Sequence, residues 1–517
     1  NADGYYEINN AGNLYWFAQL VNIDGVTNSN AILMNDIDLE NRVWYPIGLY
    51  DDIAKENGEL VQKQYAGILN GNNHTISNFK AIGNGSQGLI GYSDRNAQVR
   101  NLGVINATVS GWNAGAIIAY NGIIENCYAI NCKITAYTSD SSAIKVYAGA
   151  VAGSQQATVK NCFAYNCEII VGEGYENKST IAPVGGKTPE NCYYANVTAT
   201  NGTFRINENE MNALPAQLEI GEVAYLLGSA WGMGETGLPT LGKAPVTKGY
   251  SIYGQQLNIG GDLSMKYYVI AFGDEIVTKD LTMEFFFLGK KTEVIGFYDS
   301  ETRMYVFTLD GINPQCMGDE IDAYLLLDGE EKANKLDYTV EANLLTLREK
   351  YKDDTALVTL VNDILAYGSA ASEYKGYGSM TDDYVSSDRE IPTTNVAPSD
   401  AFTGYTVKFG TSNGIIIQVD PNAFSNNIYQ VYCNGDVIGN YKHPNSNQYA
   451  IYNISPTDFD KKYEFIVKSN NPNGSVYGSI AISINDYLYS ISQSATPTAA
   501  MKSLAKVLYT YGVSAVE

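Results

Sequence analysis

The sequence predicts a mainly β chain: a parallel β-helix with short capping helices, followed by two β-sandwich-like modules that each end in an α-helix. Three observations predict it. In the first half asparagine recurs in two aligned columns at unequal intervals, as expected of strands turned by the same bend on successive coils. The second half alternates apolar and polar residues with a period of two, and closes twice on a long helical pattern containing Tyr-Gly. With 49 Gly and 41 Tyr against 2 His, and 45% hydrophobic and 17% charged residues among 517, the composition is that of a folded, β-rich, multidomain chain rather than a disordered one.

The first elements are Tyr6-Glu7-Ile8, a short amphipathic helix through Leu14-Tyr15-Trp16-Phe17-Ala18-Gln19-Leu20, and the strand Asn35-Asp36-Ile37-Asp38-Leu39. Trp44 to Gly48 and Gly67 to Ile76 continue the series. The repeat then becomes explicit in Val99-Arg100-Asn101-Leu102, Ile124-Glu125-Asn126-Cys127, Val159-Lys160-Asn161-Cys162 and Pro189-Glu190-Asn191-Cys192. Five residues after each of these asparagines stands another: Asn106, Asn131, Asn166 and Asn196. The first-column spacings of 25, 35 and 30 residues do not fit a helical solenoid but suit coils with loops of different length. Asparagine tolerates left-handed backbone at a bend, and its amide can bond to its counterpart one coil away, so both columns are read as ladders.

The ladders assign faces to their neighbours. Leu102, Cys127, Cys162 and Cys192 point inward, where cysteine acts as a small hydrophobe. Arg100, Glu125, Lys160 and Glu190 point outward with alternating sign, so adjacent strands ~4.8 Å apart set opposite charges side by side. This explains why five of the seven cysteines fall between residues 127 and 192. Stacked parallel Cβ vectors aim poorly for disulfides, and free buried thiols are expected.

A second recurring strand precedes each ladder strand: Gly88-Leu89-Ile90-Gly91, Ala116-Ile117-Ile118-Ala119 and Ala150-Val151-Ala152-Gly153. Gly88-Leu89-Ile90-Gly91 followed by Val99-Arg100-Asn101-Leu102-Gly103-Val104 resembles the GLUG motif, a repeat of right-handed β-helix modules in secreted and surface proteins of gut and oral bacteria. The opening segment resembles that family's cap, and the likeness extends over about residues 1 to 245. It implies a right-handed coil and an extracellular, secreted or cell-surface setting, with adhesion as the expected role. Ala116 and Ala119 depart from the glycines of the motif but keep its period.

Glu222 to Leu227 reads as a closing helix and Gly237 to Gly242 as an exit loop. Alternating strands follow, such as Met283 to Phe287 and Met304 to Leu309, then a helix from Ala356 to Tyr374. The last segment repeats the plan with the strand Gly414 to Val419 and the helix Ala499 to Ala515. The expected domains are therefore a β-helix over 1–248, a β-rich module over 249–377, a linker rich in Ser, Thr, Asp and Pro over 378–400, and a second copy over 401–517. The paired modules resemble accessory domains on surface proteins of gut Firmicutes.

A formal charge of -23 argues against nucleic acid and against anionic membrane surfaces as partners, and no run approaches the length of a membrane span. The chain opens on Asn1 rather than Met, as expected where a leader lies upstream. His74, in Asn72-Asn73-His74-Thr75-Ile76, has a structural place in a turn before a strand, and His443 in a Lys-His-Pro-Asn loop is equally bland. No His-Glu-x-x-His, phosphate loop or calcium loop occurs in the sequence. Parallel β-helices do house polysaccharide lyases and glycosidases, but Glu125 and Glu190 are divided by Lys160 and better explained as a charge-compensating column.

The expected function is thus a non-enzymatic extracellular surface protein without cofactor or metal, adhesin-like, binding a host or dietary glycan or a surface protein. A polysaccharide-active β-helix enzyme is the first alternative and a purely structural stalk the second. The binding face is placed on the insertions after the second asparagine column, Ser110 to Asn113, Thr135 to Tyr147 and Gly172 to Thr180. Their aromatics, Trp112, Tyr137, Tyr147 and Tyr175, are the candidate ligand-binding residues, being flat-faced side chains on loops over a rigid scaffold.

Overall fold

The computed structural model describes the chain except residues 2, 57–58, 140–142, 259–262, 278–279, 381–383, 398, 410–412, 421–428, 441–446 and 471–474. The fold is mainly β, with parallel sheets in the N-terminal part and antiparallel sheets later. The chain divides into two compact units: Asn1–Gly249 with Phe272–Asp274, and Tyr250–Ala271 with Glu275–Glu517.

The first unit opens on the strand Tyr5–Ile8 and the helix Ala11–Asn22. The Asn10 side chain caps the helix by accepting from the Asn13 N–H at 3.0 Å. Leu14, Phe17, Ala18 and Val21, spaced by three or four, form its buried face. The chain then makes successive passes whose strands pair in parallel with their counterparts in the pass before. Gln98–Ile105 pairs with Ile123–Ile130, setting Leu102 against Cys127. Thr108–Gly111, Lys133–Ala136 and Glu168–Val171 stack in turn, as do Asn113–Gly115, Val146–Gly149 and Ser179–Ala182.

All eight ladder asparagines hold φ between 50° and 55°, the left-handed region that asparagine enters at least cost after glycine. Their amides bond from pass to pass except between Asn106 and Asn131. In the first column Asn126 Nδ2 donates to Asn101 Oδ1 at 3.3 Å, Asn161 to Asn126 at 3.3 Å and Asn191 to Asn161 at 2.9 Å. In the second, Asn166 donates to Asn131 at 2.7 Å and Asn196 to Asn166 at 2.6 Å. This column reaches further back than the repeat suggested, since Asn106 donates to Asn78 at 3.0 Å and Asn78 to Asp38 at 2.9 Å. The bonds from Asn78 and from the Glu40 N–H hold the Asp38 carboxyl below the usual carboxylate range.

All seven cysteines are free and buried. Each thiol of the inward column donates to the carbonyl two residues back: Cys127 to Glu125 at 3.2 Å, Cys162 to Lys160 at 3.2 Å and Cys192 to Glu190 at 3.4 Å. Burial pushes the Cys127 thiol up to about 12. The recurring small residues have a steric cause. A Cβ on Gly88 would stand 2.3 Å from the Gly115 carbonyl oxygen, and one on Gly115 would stand 2.4 Å from the Gly153 nitrogen. Backbones of successive passes meet there too closely for a side chain.

The segment after Glu210 covers one outer face of the stack. Register sets Gly103 beside Tyr128, Tyr128 beside Phe163 and Phe163 beside Tyr193. This aromatic row is buried with Leu218, Val223, Leu227, Trp231 and Leu241. The helix Glu222–Leu227 stands where it was expected. Gly237 to Gly242, expected as a loop, instead contributes the strand Pro239–Leu241, antiparallel to Trp231–Met233. Pro239 is tolerated because it starts a strand in a two-stranded sheet.

The second unit contains two successive copies of one plan, each with antiparallel sheets followed by two helices. In the first copy Glu330–Tyr338, Ile321–Leu327, Leu281–Phe287 and Lys290–Ile295 form one sheet, and the helices are Val340–Lys350 and Thr355–Lys375. In the second, Asp436–Asn440, Tyr429–Cys433, Tyr463–Ser469 and Val476–Ile482 form the matching sheet, with helices Ile484–Gln493 and Ala499–Ser514. The sequence indicated only the second helix of each pair. Tyr367 and Tyr511, from the two Tyr-Gly sites, stack at 5.7 Å between centroids and 16° between planes. One hydrophobic cluster runs from Leu263 in the first copy to Tyr511 in the second.

Between the copies, the described residues of 378–400 carry no helix or strand. They are nonetheless fastened to both long helices. Ser387 donates its N–H and hydroxyl to the buried Asp363 at 2.6 and 2.8 Å, Ser514 donates to the same carboxylate, and Arg389 pairs with Glu517.

Candidate functional site

The four aromatics singled out from the insertions fall into two groups. Tyr137 and Tyr175 meet edge to face, with centroids 6.1 Å apart and planes at 89°. Tyr175 is only 8% exposed and belongs to the core, against 38% for Tyr137. The loop turns Tyr175 inward because its N–H bonds to the Gly172 carbonyl at 3.2 Å while its own carbonyl accepts from Lys178 at 2.9 Å. Gly172 is required by the same packing, since a Cβ there would stand 2.7 Å from the Tyr137 ring. Tyr175 therefore does not offer a free face, and the expectation of a shared platform is corrected on this point.

Trp112 and Tyr147 behave differently. Both are half-buried and line a cleft of about 530 Å³ with Asn113, Tyr120, Ser154, Gln155, Gln156 and Lys187. Strand register builds it. Asn113, next to Trp112, pairs with Tyr147, and Tyr147 pairs with Thr180, so one wall is a row of side chains repeating at ~4.8 Å across the strands. Trp112 is held by donating its indole N–H to the Lys145 carbonyl, and the Lys145 ammonium lies 5.5 Å from the Tyr147 ring centroid.

The opposite wall comes from the strand Ile118–Tyr120, which pairs with Ile90–Tyr92 and sets Tyr120 beside Tyr92 with ring centroids 5.4 Å apart. Burial, and then the neighbouring phenols of Tyr92 and Tyr147, raise the Tyr120 hydroxyl above its ordinary value. That hydroxyl stays protonated and able to donate at neutral pH. The floor is the bend at Ser154 to Gln156, where the Gln156 N–H bonds to Ser154 Oγ at 3.2 Å.

Tyr120, Gln155, Gln156 and Lys187 were missed from sequence because they follow the recurring strand and not the insertions. The signal was there: Tyr92 and Tyr120 stand at the same place after Leu89-Ile90 and Ile117-Ile118.

The remaining residues weighed for chemistry have structural surroundings. His74 Nδ1 lies 3.2 Å from Asp36 Oδ1, which also accepts from the Thr75 N–H at 2.8 Å. His443 lies outside the described residues. Lys160 pairs with Glu190 at 2.9 Å in the charged column, and its bond to that carboxylate raises its pKa. Lys133 pairs likewise with Glu168 at 3.1 Å on the next face. Among the described residues no group of three or more His, Cys, Asp or Glu could hold a metal ion, and no helix is long and apolar enough to cross a membrane. A recess of about 300 Å³ in the second unit is lined mainly by Tyr367, Leu488, Ile491, Leu504 and similar side chains of its core. Its two lysines, Lys375 and Lys408, lie over the rings of Tyr374 and Tyr452. The cleft at Trp112 combines aromatic faces with converging amides, a hydroxyl and a cation.

No family model and no curated protein matches the chain. Among solved structures, it is similar to a crystal structure provisionally described as an immunoglobulin A1 protease from Bacteroides ovatus. The two share 17% identity over 47% of this chain and 93% of that one, with a TM-score of 0.30. At that level of likeness neither fold nor activity is carried over.

Proposed function

We propose that the chain is an extracellular, surface-associated recognition protein that binds a glycan at the Trp112–Tyr147 cleft. In this reading the first unit winds as a right-handed β-helix of the GLUG type, and the two copies of the second unit are sandwich-like accessory modules. The protein acts as an adhesin without catalytic machinery. The observation that carries the reading is the chemistry of the cleft. Sugar rings present apolar C–H faces and a rim of hydroxyls; half-buried Trp112, Tyr120 and Tyr147 supply flat apolar surface, and Gln155, Gln156 and Asn113 supply donors and acceptors beside it. Asn113, Tyr120 and Tyr147 are strand residues in fixed register, so little ordering is spent on placing them.

The test is a glycan array probed with the full chain, its Tyr147→Ala variant and its Tyr137→Ala variant. Binding that is lost with Tyr147→Ala and kept with Tyr137→Ala is expected. Binding that survives Tyr147→Ala would move the recognition surface elsewhere.

A further inference from the structure

The cleft has an extension with its own chemistry. A smaller recess of about 30 Å³ adjoins it, and the two share Gln155 and Lys187 as lining residues. Space of that size holds one or two water-sized groups and no ring. Its walls include Lys187, Arg205, Thr180 and Asn207. Lys187 and Arg205 are exposed, and among the described residues no carboxylate pairs with either.

One carboxylate does line the recess. Glu210 is buried and already committed, with Oε1 accepting from the Gly185 N–H at 2.8 Å and Oε2 from the Asn207 N–H at 3.2 Å. Two cations thus face one internally bonded carboxylate, in a chain whose formal charge is -23. Charges more than a Debye length away, ~8 Å at physiological salt, are largely screened. A bound group therefore responds to the local cations first.

Resting on the recognition reading above, we propose that the glycan taken by this cleft carries a carboxylate, as in uronate or sialate sugars. The ring lies against Tyr147 and Trp112, and the carboxylate enters the small recess toward Lys187 and Arg205. A planar carboxylate matches the guanidinium fork of Arg205, and the compact Lys187 ammonium serves both the ring hydroxyls and the acid.

The experiment measures affinity of the full chain for two matched pairs: sialyllactose against lactose, and oligogalacturonate against its methyl ester. At least one acidic member is expected to bind tenfold or more tighter than its neutral partner, with a preference that shrinks as salt is raised. Lys187→Gln and Arg205→Gln are each expected to reduce that preference several-fold while the melting temperature is unchanged. Equal affinity within both pairs, absence of binding by both acidic members, or a preference that survives both substitutions would overturn the proposal. Failure of the underlying reading looks different. Tyr147-dependent array binding restricted to neutral glycans leaves the site standing and removes the acid, whereas array binding that ignores Tyr147 removes the site itself.

Discussion

Asn161 shows how much one side chain does in this fold. It holds φ at 51°, donates to Asn126 and accepts from Asn191. Asn161→Ala loses both bonds and places an L side chain without a compensating amide in left-handed backbone, for an expected cost of about 1 to 3 kcal/mol by denaturant titration. Asn161→Gly relieves the backbone strain and should recover part of that loss; equal stability of all three chains would mean that the ladder contributes nothing. The cysteines make a second prediction at this scale. Cys127 has an ordinary value of 9.0 and is pushed up to about 12 by burial. Above pH 9 the unfolded chain sheds this proton while the folded chain keeps it, so stability is expected to fall between pH 9 and 12. Cys127→Ala should show a shallower fall over that window in urea titrations; an identical slope would contradict the assignment. Both columns were legible in the sequence because left-handed asparagine and small inward side chains are local requirements repeated on every pass. The extension through Asn78 to Asp38 was not, because there an aspartate takes the amide's place.

Strands and long helices were legible where a period was long enough to count. Met304–Leu309 and Gly414–Val419 have the limits the alternation indicates, and Thr355–Lys375 exceeds its expected range by one residue at each end. Loop direction was not legible. Tyr137 and Tyr175 follow their bends by six and nine residues, and a longer excursion closed by its own turn carries Tyr175 back into the core. The same limit hid the cover over Tyr128, Phe163 and Tyr193. Their alternation shows an apolar outer face, but what covers it arrives from beyond Glu210. The division among the insertion aromatics gives a prediction for these loops. Tyr175→Ala removes a ring that is 8% exposed and should cost about 3 kcal/mol. Trp112→Ala, on a half-buried cleft wall, should cost less, about 1 to 2 kcal/mol. Urea midpoints in the reverse order would mean that Trp112 is the structural residue and Tyr175 the available one.

Across the whole molecule, the repeat in the first unit and the duplication in the second were readable because each recurs in sequence. The shared core of the two copies was not. Nothing local signals that Tyr367 stacks on Tyr511, or that Ser387 and Ser514 both donate to Asp363. The cleft is likewise a product of stacking. Trp112, Tyr147 and Lys187 come from successive passes and meet only because parallel register fixes their phase. The proposed recognition site is therefore a feature of the stack and not of any single loop. The most direct measurement is a crystal structure of the full chain bound to the tightest glycan from the array. The expected result is a sugar ring packed on Tyr147 and Trp112, with hydroxyls within hydrogen-bond distance of Gln155 or Gln156. A ring seated at Tyr137, or on the sheets of the second unit, would contradict it.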